Sequence, residues 1–354
     1  MFYRRIALTL FVSALAGCQA GYYAHLARGQ YELLAARRPI AELLAGPDTD
    51  PTLRARLQAA TSARAFAVKQ LALPDNGSYT LYADLGRPQV LWNLFAAPEF
   101  SLQPQEWCHA FVGCLAYRGY YDEARLREDA ARLRAQGLDV ETAPVPAYST
   151  LGWFDDPVLN TMLEGSDEQL AGTLFHELAH QQVFASGDTA FNESFASFVA
   201  EQGLREYLKE TPERLQPILG GRERHGQFVA LVLKCRTRLQ ELYASALPEA
   251  DKRARKQAEF ARLRAEYEQL KTSAWGGDGR YDAWMARDLN NARLLPFGLY
   301  HQWVPAFGAL YRASGENWPE FYRAAQALAD ESSEQRLARL EALNAATATA
   351  QLLR

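Results

Sequence analysis

The chain has 354 residues, 48% hydrophobic and 23% charged, enough to bury a substantial core in one large or two modest domains. Its formal net charge of −4, with no basic run anywhere, excludes a nucleic-acid surface.

Taken in order, residues 1–17 place Arg4 and Arg5 ahead of an apolar run from Ile6 to Leu15, the pattern of an export signal too short for a stable span. Leu15-Ala16-Gly17-Cys18 resembles the bacterial lipobox, which implies cleavage before Cys18 and a lipid on its sulfur; the alternative is an ordinary signal with an incidental cysteine. Gln19 in place of an aspartate implies sorting to the outer membrane. The mature chain is therefore expected to be tethered to the envelope through Cys18 and to face the periplasm, and no later apolar run could span a bilayer.

Residues 18–75 are helical in pattern, with Leu26, Leu33 and Leu34, then Leu53, Leu57, Ala60 and Val68, broken at Gly46-Pro47-Asp48. Residues 76–121 change character: Ser78–Tyr82, Val90–Phe95 and Phe111–Tyr121 are short β-prone runs parted by Gly and Pro. An exporting compartment permits disulfides. A bridge between Cys108 and Cys114 would close a small loop, whereas a regular strand would hold them too far apart, and both readings stay open. A helix follows from Asp122 to Gln136, and Tyr148–Phe154 reads as another strand. Trp153, Asp155 and Asp156 at its end either line a site or form an aspartate-rich turn before Pro157.

Ser166–Leu204 carries the chemistry. Ser166 with Gln169 makes a capping box, Asp167 and Glu168 fill the first turn, and Leu170, Leu174, Leu178 and Val183 continue an apolar stripe. The helix contains His176-Glu177-Leu178-Ala179-His180, an H-E-x-x-H sequence whose two imidazoles leave one face and can reach one ion. That spacing suits zinc, with Glu177 beside the metal where it can take a proton from water. Gly187 is a stop, Asp188 or Thr189 a cap, and Phe191, Phe195, Phe198 and Val199 mark a second, antiparallel helix. A turn centred near Ser186 and Gly187 sets His180 level with Glu193, the third ligand, whereas Glu201 would overshoot by about 12 Å. Ser197, one turn beyond Glu193, is an outer hydrogen-bond partner or simply a surface serine.

The remainder is almost wholly helical. Phe228, Leu231, Val232, Cys235, Leu239 and Leu242 form one stripe and Phe260, Leu263, Tyr267 and Leu270 another, which predicts a protruding hairpin with a solvated charged face and a buried Cys235 thiol. Trp275–Gly279 is a loop too irregular to cradle phosphate. Asp288–Arg293 with Tyr300 and His301 make a second polar cluster, in which Asn290 and Asn291 either serve the site or only cap and bridge helices.

HELAHQ followed by NESFASFV resembles the gluzincin zinc peptidases, particularly the large zinc aminopeptidases, with a shorter interval between second histidine and acid. The resemblance implies zinc on His176, His180 and Glu193 and general-base work by Glu177. LAGC, WNLFAAPEFSL, CLAYRGYY, STLGWFDDPVLNTML and LNNARL extend a second resemblance, to a bacterial family of predicted lipoprotein aminopeptidases, over most of the chain. By the first resemblance, a tyrosine downstream of the metal helices donates to the oxyanion, here Tyr300 with His301 as substitute. An edge strand, from Tyr148–Phe154 or Val90–Phe95, would hold the substrate backbone, although the second run reads equally as a core strand. The G-x-M-E-N sequence that holds a substrate amine is absent; Glu164, Asp155 and Asp156 are its possible replacements.

The expectation is an α+β fold: a small antiparallel or mixed sheet packed on a zincin-type helix hairpin, then a mostly helical C-terminal part. It divides into signal 1–17, helical segment 18–75, peptidase core 76–221 and helical region 222–354. The function expected is a zinc-dependent envelope peptidase acting on a peptide or protein, an aminopeptidase by resemblance. An endopeptidase and a zinc-containing scaffold are the alternatives, the scaffold disfavoured because a structural site has no use for Glu177.

Overall fold

The computed structural model describes residues 20–109, 113–147, 149–297 and 302–352, with side chains through Ala345. Residues 1–19, where the export signal and the Cys18 anchor are expected, and Tyr148, Tyr300 and His301 lie outside the described residues. The chain mixes helices with small sheets and ends in a helical part. Helix α1 (20–35) leads to β1 (Arg37–Pro39), α2 (Ile40–Ala45), α3 (Pro51–Gln70), β2 (Leu81–Ala83) and β3 (Leu91–Pro98). Next come β4 (Trp107–His109), β5 (Gly113–Leu115), β6 (Arg118–Tyr120), α4 (Glu123–Ala135), β7 (Leu138–Val145) and β8 (Val158–Leu159). The helices α5 (Asp167–Gln182), α6 (Thr189–Tyr207), α7 (Pro212–Ala244) and α8 (Glu249–Ala274) follow. Short α9 (Asp282–Ala286) and α10 (Asn291–Leu294) precede α11 (Val304–Ala313), α12 (Trp318–Ala329) and α13 (Ser333–Leu352).

β3 is the centre of one sheet, antiparallel to β6 on one side and to β7 on the other, with Leu91 opposite Val145 and Pro98 opposite Leu138. Because side chains alternate along a strand, Leu94 and Ala96 pack with Leu126, Ala130 and Leu133 of α4, whereas Phe95 and Ala97 pack with Ala292 and Leu295. Val90–Phe95 is thus a core strand with both edges paired, and it cannot add a substrate strand. In the second sheet β2 pairs antiparallel with β1 and parallel with β8. A single 3-10 turn (Asn160–Met162) connects β8 to the approach to α5. Cys108 and Cys114 face each other across the β4–β5 pair and are disulfide-bonded, because the segment doubles back instead of running on as one strand.

Three expectations change. The strand expected at Tyr148–Phe154 is not formed by its described residues 149–154: Leu151 and Gly152 make a turn with φ of 56° and 79°. Asp156 accepts from the Thr150 N–H at 2.9 Å and the Thr150 hydroxyl at 2.8 Å, so the aspartates there are turn chemistry. β1 lies inside a stretch read as helix; its pattern is invisible locally because only pairing with β2 makes it a strand. The α7–α8 hairpin does bury Phe228, Val232, Cys235, Leu239, Phe260, Leu263 and Tyr267 as its stripes require. It does not protrude freely, however, because Lys256, 3% exposed, bonds Asp139 of β7 at 2.6 Å and the Glu99 carbonyl at 2.8 Å.

The largest core joins α3, α5, α6 and the C-terminal helices. Gly203 of α6 lies where a β-carbon would come within 2.6 Å of Leu71 and 3.0 Å of Phe175, so the close approach of α6 to α5 needs glycine there.

Candidate metal centre

The helix carrying the two histidines is fixed at both ends. Ser166 accepts from the Gln169 N–H at 3.3 Å and the Gln169 side chain returns a bond to the Ser166 N–H at 2.8 Å, the capping box read from sequence. Arg56 pairs with Asp167, and Arg214 with Glu168 at 2.6 Å, within the first turn. Leu170, Leu174 and Leu178 are buried, which turns the opposite side of α5 toward a cleft. The chain leaves α5 through extended Val183 and reverses at Gly187, whose φ of 78° is left-handed. Asp188 then caps α6 by accepting from the Phe191 N–H at 2.9 Å.

That reversal sets His180 and Glu193 side by side. His176 Nε2 lies 3.1 Å from His180 Nε2 and 3.3 Å from Glu193 Oε2, and the His180–Glu193 separation is 3.7 Å. Donors bonded tetrahedrally to zinc at about 2.1 Å stand about 3.4 Å from one another, so the three atoms match the edges of one such face. Among the described residues they form the one group of three or more such donors placed to share an ion. The imidazole planes cross at 85°, which lets both nitrogens point at one spot. Glu201, two turns beyond Glu193, stands outside the group and pairs with Arg222 at 3.6 Å.

The electrostatics suit a bound cation. Burial works against a proton on His176, yet its hydrogen bond to Glu193 and the charges of Glu177 and Glu193 outweigh burial and raise its pKa; Arg222 opposes them. Burial dominates at His180 and takes it down to about 4, keeping its nitrogen free to ligate. Glu177 is 7% exposed, and burial raises its carboxyl to about 7, with the His176 charge opposing and the charges of Glu193 and Asp156 adding. A carboxyl poised near neutrality beside three converging donors is placed to exchange a proton with water.

A family model described as "Putative aminopeptidase" matches residues 21–340. The chain belongs to that family. No curated protein and no solved structure matches it. The match carries a peptidase-like, hydrolytic assignment, and it spans the HELAH helix, the sheet and the C-terminal helices alike.

In this aminopeptidase-family chain the donors open into a cleft of about 1980 Å³, well above the roughly 300–1,000 Å³ of small-molecule sites. Ser197 lines it; Glu164, Asp155 and Asp156 do not, so the residues considered for holding a substrate amine are turned elsewhere. The Asp288–Arg293 cluster is also structural. Asn290 caps α10 and Asn291, fully buried, donates to the carbonyls of Pro98, Glu99 and Ser101, while Arg293, 1% exposed, pairs with Glu141 at 3.0 Å.

Two residues that sequence reasoning passed over face the centre instead. Tyr117, between β5 and β6, lines the cleft and packs its ring on Phe95; burial and then the charges of Glu193 and Glu177 raise its pKa, so the phenol stays protonated close to both. Arg222 of α7 also lines the cleft. The signal for Tyr117 was its place in CLAYRGYY, a segment shared by resemblance but with no motif spacing of its own.

Proposed function

We propose that the chain is a zinc-dependent peptidase of the bacterial cell envelope, acting as an aminopeptidase. The observation that carries this is the convergence of His176, His180 and Glu193 next to a buried Glu177, within a family described by that activity.

His176 and His180 would hold the ion through Nε2 and Glu193 through its carboxylate. When bound, zinc supplies Lewis acidity that polarises a peptide carbonyl and acidifies water. Glu177, with its pKa near 7, takes the proton from attacking water and hands it to the leaving amine. Tyr117 donates its hydroxyl hydrogen to the oxygen that gains charge, on the sheet side of the cleft. Tyr300 and His301, outside the described residues, are the alternative donors. Ser197, one turn from Glu193, lines the cleft beside that carboxylate.

Envelope location is supported by the export signal, by Leu15–Cys18 as a lipid attachment sequence, and by the Cys108–Cys114 disulfide, which suits an oxidising compartment. No helix among the described residues is long and apolar enough to cross a membrane. The test is digestion of a mixed peptide library by zinc-loaded protein, with products sequenced. Release of single N-terminal residues, reduced on the order of 10²–10⁴-fold in Glu177→Gln at unchanged zinc content, is the expected result. Internal cuts would overturn the exopeptidase reading, and undiminished cleavage by Glu177→Gln would overturn the general base.

A further inference from the structure

Besides Glu177 and Glu193, every carboxylate lining the cleft already has an arginine partner. Glu168 is held by Arg214 at 2.6 Å, Asp188 by Arg336 at 2.8 Å, and Glu201 by Arg222 at 3.6 Å. Arg222 is the loosest of these partners. Its Nη1 is the nitrogen that faces Glu201 and is shielded from solvent, so the 27% of the side chain that is exposed lies on its other atoms, and the residue lines the cleft. The positive charge of Arg205 also acts on Arg222, opposing that of Glu201. Arg222 and His176 line the same cleft.

The chemistry of this spot is that of an anion receptor: a planar donor fork, held at one nitrogen by a carboxylate, exposed in part to the cleft, with a second arginine charge acting on it. Its distance from the donors sets what anion it can read. Glu201 follows Glu193 by eight residues of α6, about 12 Å along the axis, which is the length of three or four extended peptide residues. A peptide whose carbonyl sits at His176, His180 and Glu193 therefore carries its own terminus to Arg222 if it is short.

We propose that Arg222, oriented by Glu201, binds the C-terminal carboxylate of the substrate, and that the cleft thereby selects oligopeptides of about three to five residues with a free C-terminus. This rests on the peptidase reading of the metal centre and names the substrate class for it. A large polypeptide, whose terminus lies far from its first peptide bond, gains nothing from Arg222.

The test is calorimetric binding to zinc-loaded, full-length Glu177→Gln protein, which needs no turnover. Tetra-alanine with a free C-terminus should bind at least about tenfold more tightly than its C-terminal amide, the range for a hydrogen bond to a charged group. Adding Arg222→Ala should weaken the free acid by at least about tenfold and leave the amide unchanged, and Arg222→Lys should restore part of the loss. A peptide of about twelve residues should show no acid–amide difference. Equal binding of acid and amide by the parent, binding of neither, or a difference that survives Arg222→Ala would overturn the proposal, and the first comparison holds even if Arg222→Ala fails to fold. Selective binding of the acid with no cleavage by the wild type would refute the peptidase reading alone.

Discussion

Asn192 holds Ala185 from both sides of its backbone: its side-chain oxygen accepts from the Ala185 N–H at 2.7 Å and its side-chain amide donates to the Ala185 carbonyl at 2.8 Å. The bonds lie in a buried position and lock the reversal between α5 and α6 one residue before Glu193. The register that sets Glu193 level with His180 depends on this latch.

Asn192→Ala strands a buried N–H and a buried carbonyl, each costing about 1–3 kcal/mol when unpaired. Stability should fall by about 2–6 kcal/mol in urea denaturation. Zinc affinity, measured against a competing chelator, should fall about 10–100-fold, as for other residues that orient ligands. A variant with normal zinc affinity would show that the turn holds its shape without Asn192.

Tyr117→Phe removes one hydroxyl from the sheet wall and leaves the ring on Phe95. If that hydroxyl steadies the oxygen gaining charge, kcat should drop about 10²–10³-fold while KM and zinc content stay near wild type. An unchanged kcat assigns the role to a residue elsewhere in the cleft.

His25 gives the fold a pH dependence. Its Nε2 accepts from the backbone N–H groups of Tyr121 at 3.0 Å and Asp122 at 3.1 Å, which only the neutral ring can do. Burial, followed by the Arg125 charge, lowers its pKa below the ordinary 6.5. Between that folded value and 6.5 the unfolded chain binds the proton that the folded chain refuses. The His25 contribution is thus whole above 6.5 and is lost as pH falls through the folded pKa. Denaturation midpoints at about pH 7.5 and about pH 5.5 should differ more in wild type than in His25→Gln, which accepts without titrating. Identical slopes would remove His25 from the account.

Lys256 anchors the helical hairpin to the sheet. Lys256→Met leaves the Asp139 carboxylate, 18% exposed, with only the Asn291 N–H at 2.8 Å, and should cost about 3–5 kcal/mol. Adding Asp139→Asn removes the stranded charge and should recover part of that. A loss under about 1 kcal/mol would mean that the apolar contacts alone seat the hairpin.

The α5–α6 unit was legible because every device in it is local. Ser166 with Gln169, Gly187 and Asp188 act within four residues, and the level of His180 with Glu193 follows from counting 1.5 Å per residue. The stripes of α7 and α8 were legible by the same periodicity. What stayed hidden was decided by distant packing. Arg37–Pro39 is a strand only through Leu81–Ala83, and Tyr148–Phe154 reads as β-prone until Leu151 and Gly152 turn it with positive φ. Tyr117 and Arg222 reach the cleft from elements far apart in sequence, with no spacing to announce them. Asn291 stayed open between site and bridging roles because a buried amide with many partners and a catalytic amide have the same letter in a sequence.

The most direct test of the metal centre is anomalous scattering at the zinc edge from crystals of protein grown with zinc. The account predicts one strong peak about 2.0–2.2 Å from His176 Nε2, His180 Nε2 and a Glu193 carboxylate oxygen, with a fourth position open toward Glu177. A peak that Glu193 does not touch, or a closed fourth position filled by another side chain, would contradict it.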